Sequence, residues 1–223
     1  MKKIKKLVTI AAFLTAYSTT AQAITSSVAI GPKLGTQGIG VELRAPLAEQ
    51  FFGRISGNYF KMKKEYGNSD LKLNGEFTLL SVPIMLDWHP IDDSGFRLSA
   101  GVAYNGNQLK ATAKPMRDTV MGGKNFTPAE LGSITTKLTL GSAISGIVSV
   151  GYDNSFKNNS PWSFNCEAGA MYTGSPKLSI SSTGTGGAIA AQHIKKDAEK
   201  NFNKTKKFLQ VFPILSLGFK YSL

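Results

Sequence analysis

The feature that most constrains the fold of this chain is an alternation of apolar and polar or small residues with a period of two. Leu217, Phe219 and Tyr221, for example, alternate with Gly218 and Lys220. Side chains of a β-strand point alternately to opposite faces of a sheet, so the pattern predicts strands with one apolar face. Eight segments show it. They cover residues 28–34, 39–44, 54–59, 80–88, 96–105, 138–152, 164–172 and 215–223.

Two kinds of connection separate these segments. Short ones with turn-forming residues cover 46–50, 90–95 and 153–161, and longer polar ones cover 61–71, 106–133 and 175–207. The tight connection near residues 35–38 leaves open a single bent strand in place of the first two. Short turns at one rim and long loops at the other are typical of outer-membrane barrels.

Aromatic residues cluster near the ends of the predicted strands. Those beside the short turns are Trp88, Phe96, Trp162 and Phe164, and those toward the long loops are Tyr59, Tyr104 and Tyr172. In outer-membrane barrels, amphipathic rings form two girdles at the depth of the lipid headgroups. We therefore expect an aromatic girdle at each rim, with ordinary enrichment of aromatic residues in strands as the alternative.

The face opposite the apolar stripe carries small or ionisable residues. The ionisable ones are Lys33, Glu42, Arg44, Arg54, Asp87, Arg97, Glu167 and Lys220. The interior of an eight-stranded barrel is just wide enough to be filled by side chains, and an unpaired charge there would be costly. We therefore expect a salt-bridge network that plugs the lumen. A sharper hypothesis makes the same network a gate that exchanges partners and lets ions through.

The first 23 residues have the pattern of a signal peptide. Lysines at positions 2, 3, 5 and 6 precede a short apolar stretch, and Ala21 and Ala23 form a small-x-small cleavage pattern. We expect cleavage near Ala23, which leaves one domain over residues 24–223. That domain carries 22 basic and 14 acidic residues, a net charge of +8, and has no apolar run long enough for a membrane-spanning helix.

The last strand resembles the assembly signal of bacterial outer-membrane proteins. Ser216, Gly218, Tyr221 and Leu223 follow its polar-x-Gly-x-x-aromatic-x-hydrophobic pattern, with Leu223 where Phe is usual. The resemblance implies recognition by periplasmic chaperones and by the outer-membrane barrel assembly machinery.

With these features the chain resembles small outer-membrane barrels of the OmpA/OmpW-like kind, and more closely a poorly characterised group of proteobacterial barrels. The matching stretches are GTQGIGVE (35–42), LDWHP (86–90), GFRLSAG (95–101), GSPK (174–177) and FPILSLG (212–218). The resemblance implies an all-β fold: an eight-stranded antiparallel transmembrane β-barrel with short periplasmic turns and longer extracellular loops. It implies location in the outer membrane of a Gram-negative bacterium. It implies no activity, because one fold supports many functions.

Enzymatic and metal-dependent functions find little support in the residues. One cysteine and two histidines exclude a cysteine-built zinc site and leave few groups for catalysis. His89 is predicted in a periplasmic turn away from outer-leaflet lipid, and His193 in a lysine-rich loop with no clear carboxylate to orient it. We expect no enzyme, no cofactor, no metal and no nucleic-acid partner.

Residues 188–209 depart from strand periodicity. Apolar residues recur there at helical spacing among many lysines, which suggests either an amphipathic helix or a solvated loop. In the first case Lys195, Lys196, Lys200 and Lys204 are candidates for contact with lipopolysaccharide phosphates.

The function predicted from these observations is structural. We expect a non-enzymatic barrel that supports envelope integrity and presents surface loops, in contact with outer-membrane lipids and lipopolysaccharide. One alternative is a narrow channel or carrier for small apolar solutes. Another is adhesion to a host or surface ligand through the loops after Tyr104 and Tyr172.

Overall fold

The structure is a computed structural model, and it describes residues 28–67, 71–91, 94–121, 124–156, 160–185 and 208–223. The predicted signal peptide therefore lies outside the described residues, as do His193 and the candidate lysines of the last long loop.

Eight strands form a closed antiparallel ring, as the alternation predicts. They are β1 (Ala29–Gly35), β2 (Gly38–Ala48), β3 (Phe51–Gly67), β4 (Leu71–Trp88), β5 (Phe96–Asn105), β10 (Ile144–Asp153), β11 (Trp162–Tyr172) and β13 (Val211–Ser222). Each pairs with the next in that order, β5 pairs with β10 and β11 with β13, and β1 pairs with β13 to close the ring. The predicted fold class, an eight-stranded antiparallel barrel, is confirmed.

The first hairpin consists of two separate strands, so the alternative of one bent strand is wrong. Thr36 and Gln37 form the turn, and Gly35 pairs directly with Gly38. Gly38 has a φ of +107°, a conformation that favours glycine and allows the chain to reverse this tightly. The turn lies at the same rim as the long connections, here named the long-loop end. The opposite rim, with its three shorter connections, is the short-turn end.

A second sheet extends the barrel at the long-loop end. Residues 61–71 were predicted to form a polar connection, but residues 61–67 and 71–78 continue β3 and β4 as one long hairpin. Three more strands add to its edge: β6 (Gln108–Pro115), β9 (Ile134–Thr139) and β12 (Lys177–Ser182). We call these five paired segments the outer sheet. All three predicted long connections thus contain strand residues, and the predicted segment 138–152 is divided between β9 and β10.

The rest of the long connection after β5 forms a small cap. A hairpin of β7 (Thr119–Met121) and β8 (Lys124–Phe126) leads into the one-turn helix α1 (Pro128–Leu131). Thr127 and Glu130 form a capping box at its start. Leu131 packs with Phe126 and Ile134 in a small apolar core. Among the described residues, none of the helices has the length and hydropathy needed to cross a membrane.

The polarity of the barrel is the reverse of that in a soluble protein. Large apolar side chains stand exposed on the outside, such as Leu34, Val41, Ile84, Val148 and Phe219. The interior positions on the same strands are mostly polar or charged, and they are buried. An apolar exterior around a polar interior is the arrangement that lipid requires of a spanning barrel.

Candidate functional site

Among the described residues, the interior of the barrel contains nine buried Lys, Arg, Asp and Glu side chains, five basic and four acidic. The eight predicted lumen residues all lie there, each no more than 6% exposed. They are Lys33, Glu42, Arg44, Arg54, Asp87, Arg97, Glu167 and Lys220. The ninth is Asp153, which the sequence reasoning missed. Every one of the eight barrel strands contributes at least one member, so the cluster ties the whole ring together.

Arg54 stands at the centre of this charged cluster. Its Nη1 donates to Glu42 Oε2 at 3.0 Å and its Nη2 to Glu167 Oε1 at 2.8 Å. Its Nε lies 3.2 Å from Asp87 Oδ2. One guanidinium therefore contacts three carboxylates from three other strands, which is the multiple pairing that a buried charge needs.

Both glutamates also bind a lysine. Lys33 Nζ lies 2.9 Å from Glu167 Oε2 and 3.1 Å from Glu42 Oε2. Arg54 and Lys33 thus share the same two carboxylates. Ser149 Oγ donates to Glu167 Oε1 at 2.6 Å, which satisfies part of the remaining acceptor capacity of that glutamate.

Asp153 forms a second centre nearer the short-turn end. Its Oδ1 lies 2.6 Å from Arg44 Nη1 and its Oδ2 accepts from Lys220 Nζ at 2.5 Å. Lys220 reaches Glu42 Oε1 at 2.8 Å and so joins the two centres. The sequence contained a signal for Asp153. It lies two residues after Gly151, and residues two apart on a strand point to the same side, here the interior.

His89 is buried at the short-turn end of the network, not exposed in a turn. Its Nε2 contacts Arg44 Nη2, and its ring meets the ring of Phe52 edge to face at 5.0 Å. The Arg44 guanidinium carbon also lies 4.1 Å from the centre of the Phe52 ring. His89 therefore packs as part of the interior. Within the described residues, no group of three or more His, Cys, Asp or Glu side chains is arranged to hold a metal ion.

A cluster of apolar side chains lies in the lumen on the long-loop side of the charged residues of the same strands. It consists of Met85, Ala103, Ile147, Met171 and Ile214, each at most 4% exposed, with Phe212 packed against them. These residues belong to β4, β5, β10, β11 and β13, and on each strand they lie nearer the long-loop end than the charged residue. We call this cluster the apolar layer. Sequence reasoning did not predict it, and it adds packed apolar side chains to the interior beside the charged residues.

Polar side chains lie at the mouth beyond the apolar layer. Asn58 Nδ2 donates to Ser81 Oγ at 3.2 Å. Asn105 Nδ2 donates to the carbonyls of Leu140 and Ser142 at 2.6 and 3.1 Å, which holds the end of the long connection against the rim.

The predicted girdle residues all point outward. Their exposed fractions run from 36% for Phe164 to 64% for Trp162. At the short-turn end Trp162 meets Tyr221 with ring centres 5.0 Å apart, and Phe164 meets Phe219 at 5.4 Å. The other members, Tyr59, Trp88, Phe96, Tyr104 and Tyr172, also stand on the exterior.

The residues of the predicted assembly signal occupy different sides of the last strand. Ser216 is buried in the lumen, and Tyr221 and Leu223 are exposed. Asn165 crowds Gly218, since a Cβ there would stand 2.4 Å from the side-chain oxygen of Asn165. Their recognition by an assembly machinery stays a prediction.

Comparisons with known structures agree with this architecture. The chain is similar to CarO2 of Acinetobacter baumannii, with 20% identity and a TM-score of 0.56 over 89% of this chain and 99% of that one. CarO of the same organism matches with 18% identity and a TM-score of 0.54, over 86% and 96% of the two chains.

No protein-family model matches the chain. No curated protein matches its sequence either. At identities of 20% and below, a structural likeness shows a shared fold and does not show a shared activity. The chain therefore has the eight-stranded barrel fold of outer-membrane proteins.

Proposed function

We propose that this chain is a closed, non-enzymatic barrel of a Gram-negative outer membrane that supports envelope integrity and presents its outer sheet at the cell surface. The observation that carries the proposal is the filled lumen. Nine charged side chains and the apolar layer occupy the space that a pore would need. Side chains in mutual contact can fill the narrow interior of an eight-stranded barrel, and an apolar constriction opposes wetting.

The exterior supports the same location. Apolar side chains cover the outside of the strands and aromatic rings stand toward both ends, as a bilayer with two interfaces favours. In this proposal residues 1–23 are a signal peptide cleaved near Ala23. Chaperones and the barrel assembly machinery read the last strand, and the likeness to OmpA and OmpW barrels extends to their membrane orientation.

The non-enzymatic part of the proposal rests on the placement of His89. Its ring packs between Arg44 and Phe52 inside the barrel, where no lipid substrate reaches it. A general base must come within hydrogen-bond distance of the group that it deprotonates.

Planar-bilayer recording of the refolded chain tests the closed state, with heat-modifiable gel migration as the check on folding. We expect a heat-modifiable barrel with no stepwise conductance. Stepwise conductance that changes in Arg54→Ala or Glu167→Ala would contradict the proposal. Solubility without detergent would contradict the membrane location.

A narrow channel or carrier for small apolar solutes is the second candidate. Two observations favour it: Lys33 and Arg54 share Glu42 and Glu167 and could exchange partners, and the apolar layer offers a surface to an apolar solute. Uptake of a small apolar dye into proteoliposomes, faster with the protein than with lipid alone, would favour this candidate over the closed barrel.

Adhesion is the third candidate. The connections after Tyr104 and Tyr172 supply β6, β9 and β12, which extend the paired sheet beyond the barrel. Deletion of residues 108–139 in the full chain, followed by a cell-binding assay, would separate adhesion from both other functions.

A further inference from the structure

One face of the outer sheet is polar and carries a clear excess of positive charge. Residues paired across antiparallel strands share a face, and one row runs through Lys63, Glu76, Lys110, Lys137 and Ser179. The neighbouring rows on that face add more lysines. Its cations are Lys61, Lys63, Lys72, Lys110, Lys114, Lys137 and Lys177, and its carboxylates are Glu65 and Glu76. Seven lysines and two glutamates give this face a net charge of +5.

The other face of the same sheet is apolar. Its central row contains Met62, Phe77, Leu109, Leu138 and Leu178. The small core of Phe126, Leu131 and Ile134 lies on this side. The segregation of charge is therefore a property of one face and not of the extended strands as a whole.

The basic face continues the outside of the barrel. Tyr59 stands on the exterior, and Lys61 and Lys63 follow it on the same side of β3, since no register shift interrupts the β3–β4 pairing. Two residues of a strand span about 7 Å, so Lys61 lies about 7 Å farther along β3 than Tyr59. In a membrane, that is the level just outside the apolar core.

Few carboxylates neutralise these lysines. Within the described residues, the ion pairs on the basic face join only Glu76 to Lys61 at 2.9 Å and to Lys63 at 3.6 Å. The hydrogen bond and charge of Lys61 lower the pKa of Glu76, so it stays ionised and offsets one lysine. The remaining cations are exposed and spaced a few ångströms apart across the strands.

We propose that the basic face binds the phosphate groups of lipopolysaccharide molecules that surround the barrel in the outer leaflet. The proposal rests on the proposed outer-membrane location. Lysine binds phosphate as a point charge with three donors, and an array beside the lipid phase meets a two-dimensional layer of phosphates without any change in the barrel. Such contact would hold the outer sheet down on the membrane surface.

The test uses the full chain in nanodiscs of zwitterionic lipid, titrated with fluorescent rough lipopolysaccharide. The variant is K63Q/K110Q/K137Q, which neutralises one row. We expect its affinity to fall on the order of 100-fold, since each lysine near an anionic surface contributes roughly a fivefold factor. Two controls are matched to it. K63R/K110R/K137R keeps the charge and should bind as the parent does. K64Q removes the adjacent lysine from the apolar face and should change affinity less than twofold.

Three outcomes would overturn the proposal. The first is a loss below twofold in the triple Gln variant, and the second is equal binding of lipopolysaccharide stripped of its phosphates. The third is equally tight binding of the delipidated core oligosaccharide, which would mean that the basic face binds a soluble phosphorylated sugar and not lipopolysaccharide in the membrane. Heat-modifiable migration of every variant separates these results from failure of the membrane location, because a chain that does not insert contradicts the proposed function and not this face.

Discussion

Arg54 and Glu167 meet across the inside of the barrel, with Arg54 Nη2 2.8 Å from Glu167 Oε1. They come from β3 and β11, which are not neighbours in the ring. The contact spans the lumen and is independent of the backbone ladder. It fixes the distance between opposite walls, and it makes Glu167 the acceptor for cations from several strands, since Lys33 binds it as well.

Glu167→Gln is expected to destabilise the folded barrel strongly. The substitution preserves shape but leaves Arg54 and Lys33 with one carboxylate fewer, and the removal of one partner from a buried pair costs about 3–5 kcal/mol. Urea unfolding of the refolded protein in lipid measures the loss. Glu65→Gln on the exposed β3 extension is the control and should leave the midpoint unchanged. A change below about 1 kcal/mol in the Glu167 variant would show that the network contributes little.

Asp153 and Lys220 are expected to be strongly coupled. Each is almost fully buried, and their direct contact links β10 to β13. A double-mutant cycle of Asp153→Asn and Lys220→Met should give a coupling energy of about 0.5–3 kcal/mol, measured by the same unfolding assay. The same cycle with Lys220 and the exposed Glu130 should give none. Additive effects of the first two substitutions would mean that Arg44 and Glu42 compensate for the lost pair.

The sequence was sufficient to predict the eight barrel strands because the two faces of each strand meet opposite environments. Where the two sides of a strand do not differ clearly in polarity, the predictions were wrong. In residues 61–67, for example, Lys64 interrupts the apolar side, so the pattern there predicts a polar connection and not the extension of β3. Asp153 was missed because the turn was predicted to begin one residue too early.

The apolar layer was missed for a different reason. Interior positions were expected to be small or charged, yet Met85 and Met171 share the interior parity. The available signal was a run of consecutive apolar residues such as 84–86, which breaks the alternation. No pattern along the chain predicts which charges pair, because partners such as Lys33 and Glu167 lie 134 residues apart and meet only when the ring closes.

Gly31→Ala is expected to destabilise the barrel through a backbone collision. A Cβ at Gly31 would stand 1.8 Å from the carbonyl oxygen of Phe219 on the neighbouring strand. Crowding of this kind costs typically 1–3 kcal/mol, and a contact with backbone cannot be relieved by a rotamer change. Gly57→Ala is the matched control, since nothing lies within 4 Å of a Cβ there. Equal unfolding midpoints for the two variants would contradict the close approach of β1 and β13.

Tryptophan fluorescence is expected to place the short-turn rim at headgroup depth. The chain has two tryptophans, Trp88 and Trp162, and both stand on the exterior, 42% and 64% exposed. The indole of Trp88 also donates to Gln50 at 3.4 Å, as a ring at a polar interface would. Lipids brominated near the headgroup should quench the emission more than lipids brominated near the chain ends. The reverse order would contradict the girdle, and no quenching by either lipid would contradict membrane insertion.

Conductance is expected only when both interior barriers are weakened together. We expect the charged network and the apolar layer each to be able to close the lumen alone. Met85→Ala with Met171→Ala removes much of the apolar layer. Arg54→Ala with Glu167→Ala removes one ion pair from the centre of the charged network.

Each pair of substitutions alone should give no current across the bilayer. The four substitutions together should give stepwise currents, provided that heat-modifiable migration shows a folded barrel. Val148→Ala with Leu217→Ala, on the exterior, is the control for loss of apolar volume. Currents from the Arg54 and Glu167 pair alone would mean that the apolar layer does not seal the lumen. Currents from the methionine pair alone would mean that the charges leave a wet path beside them.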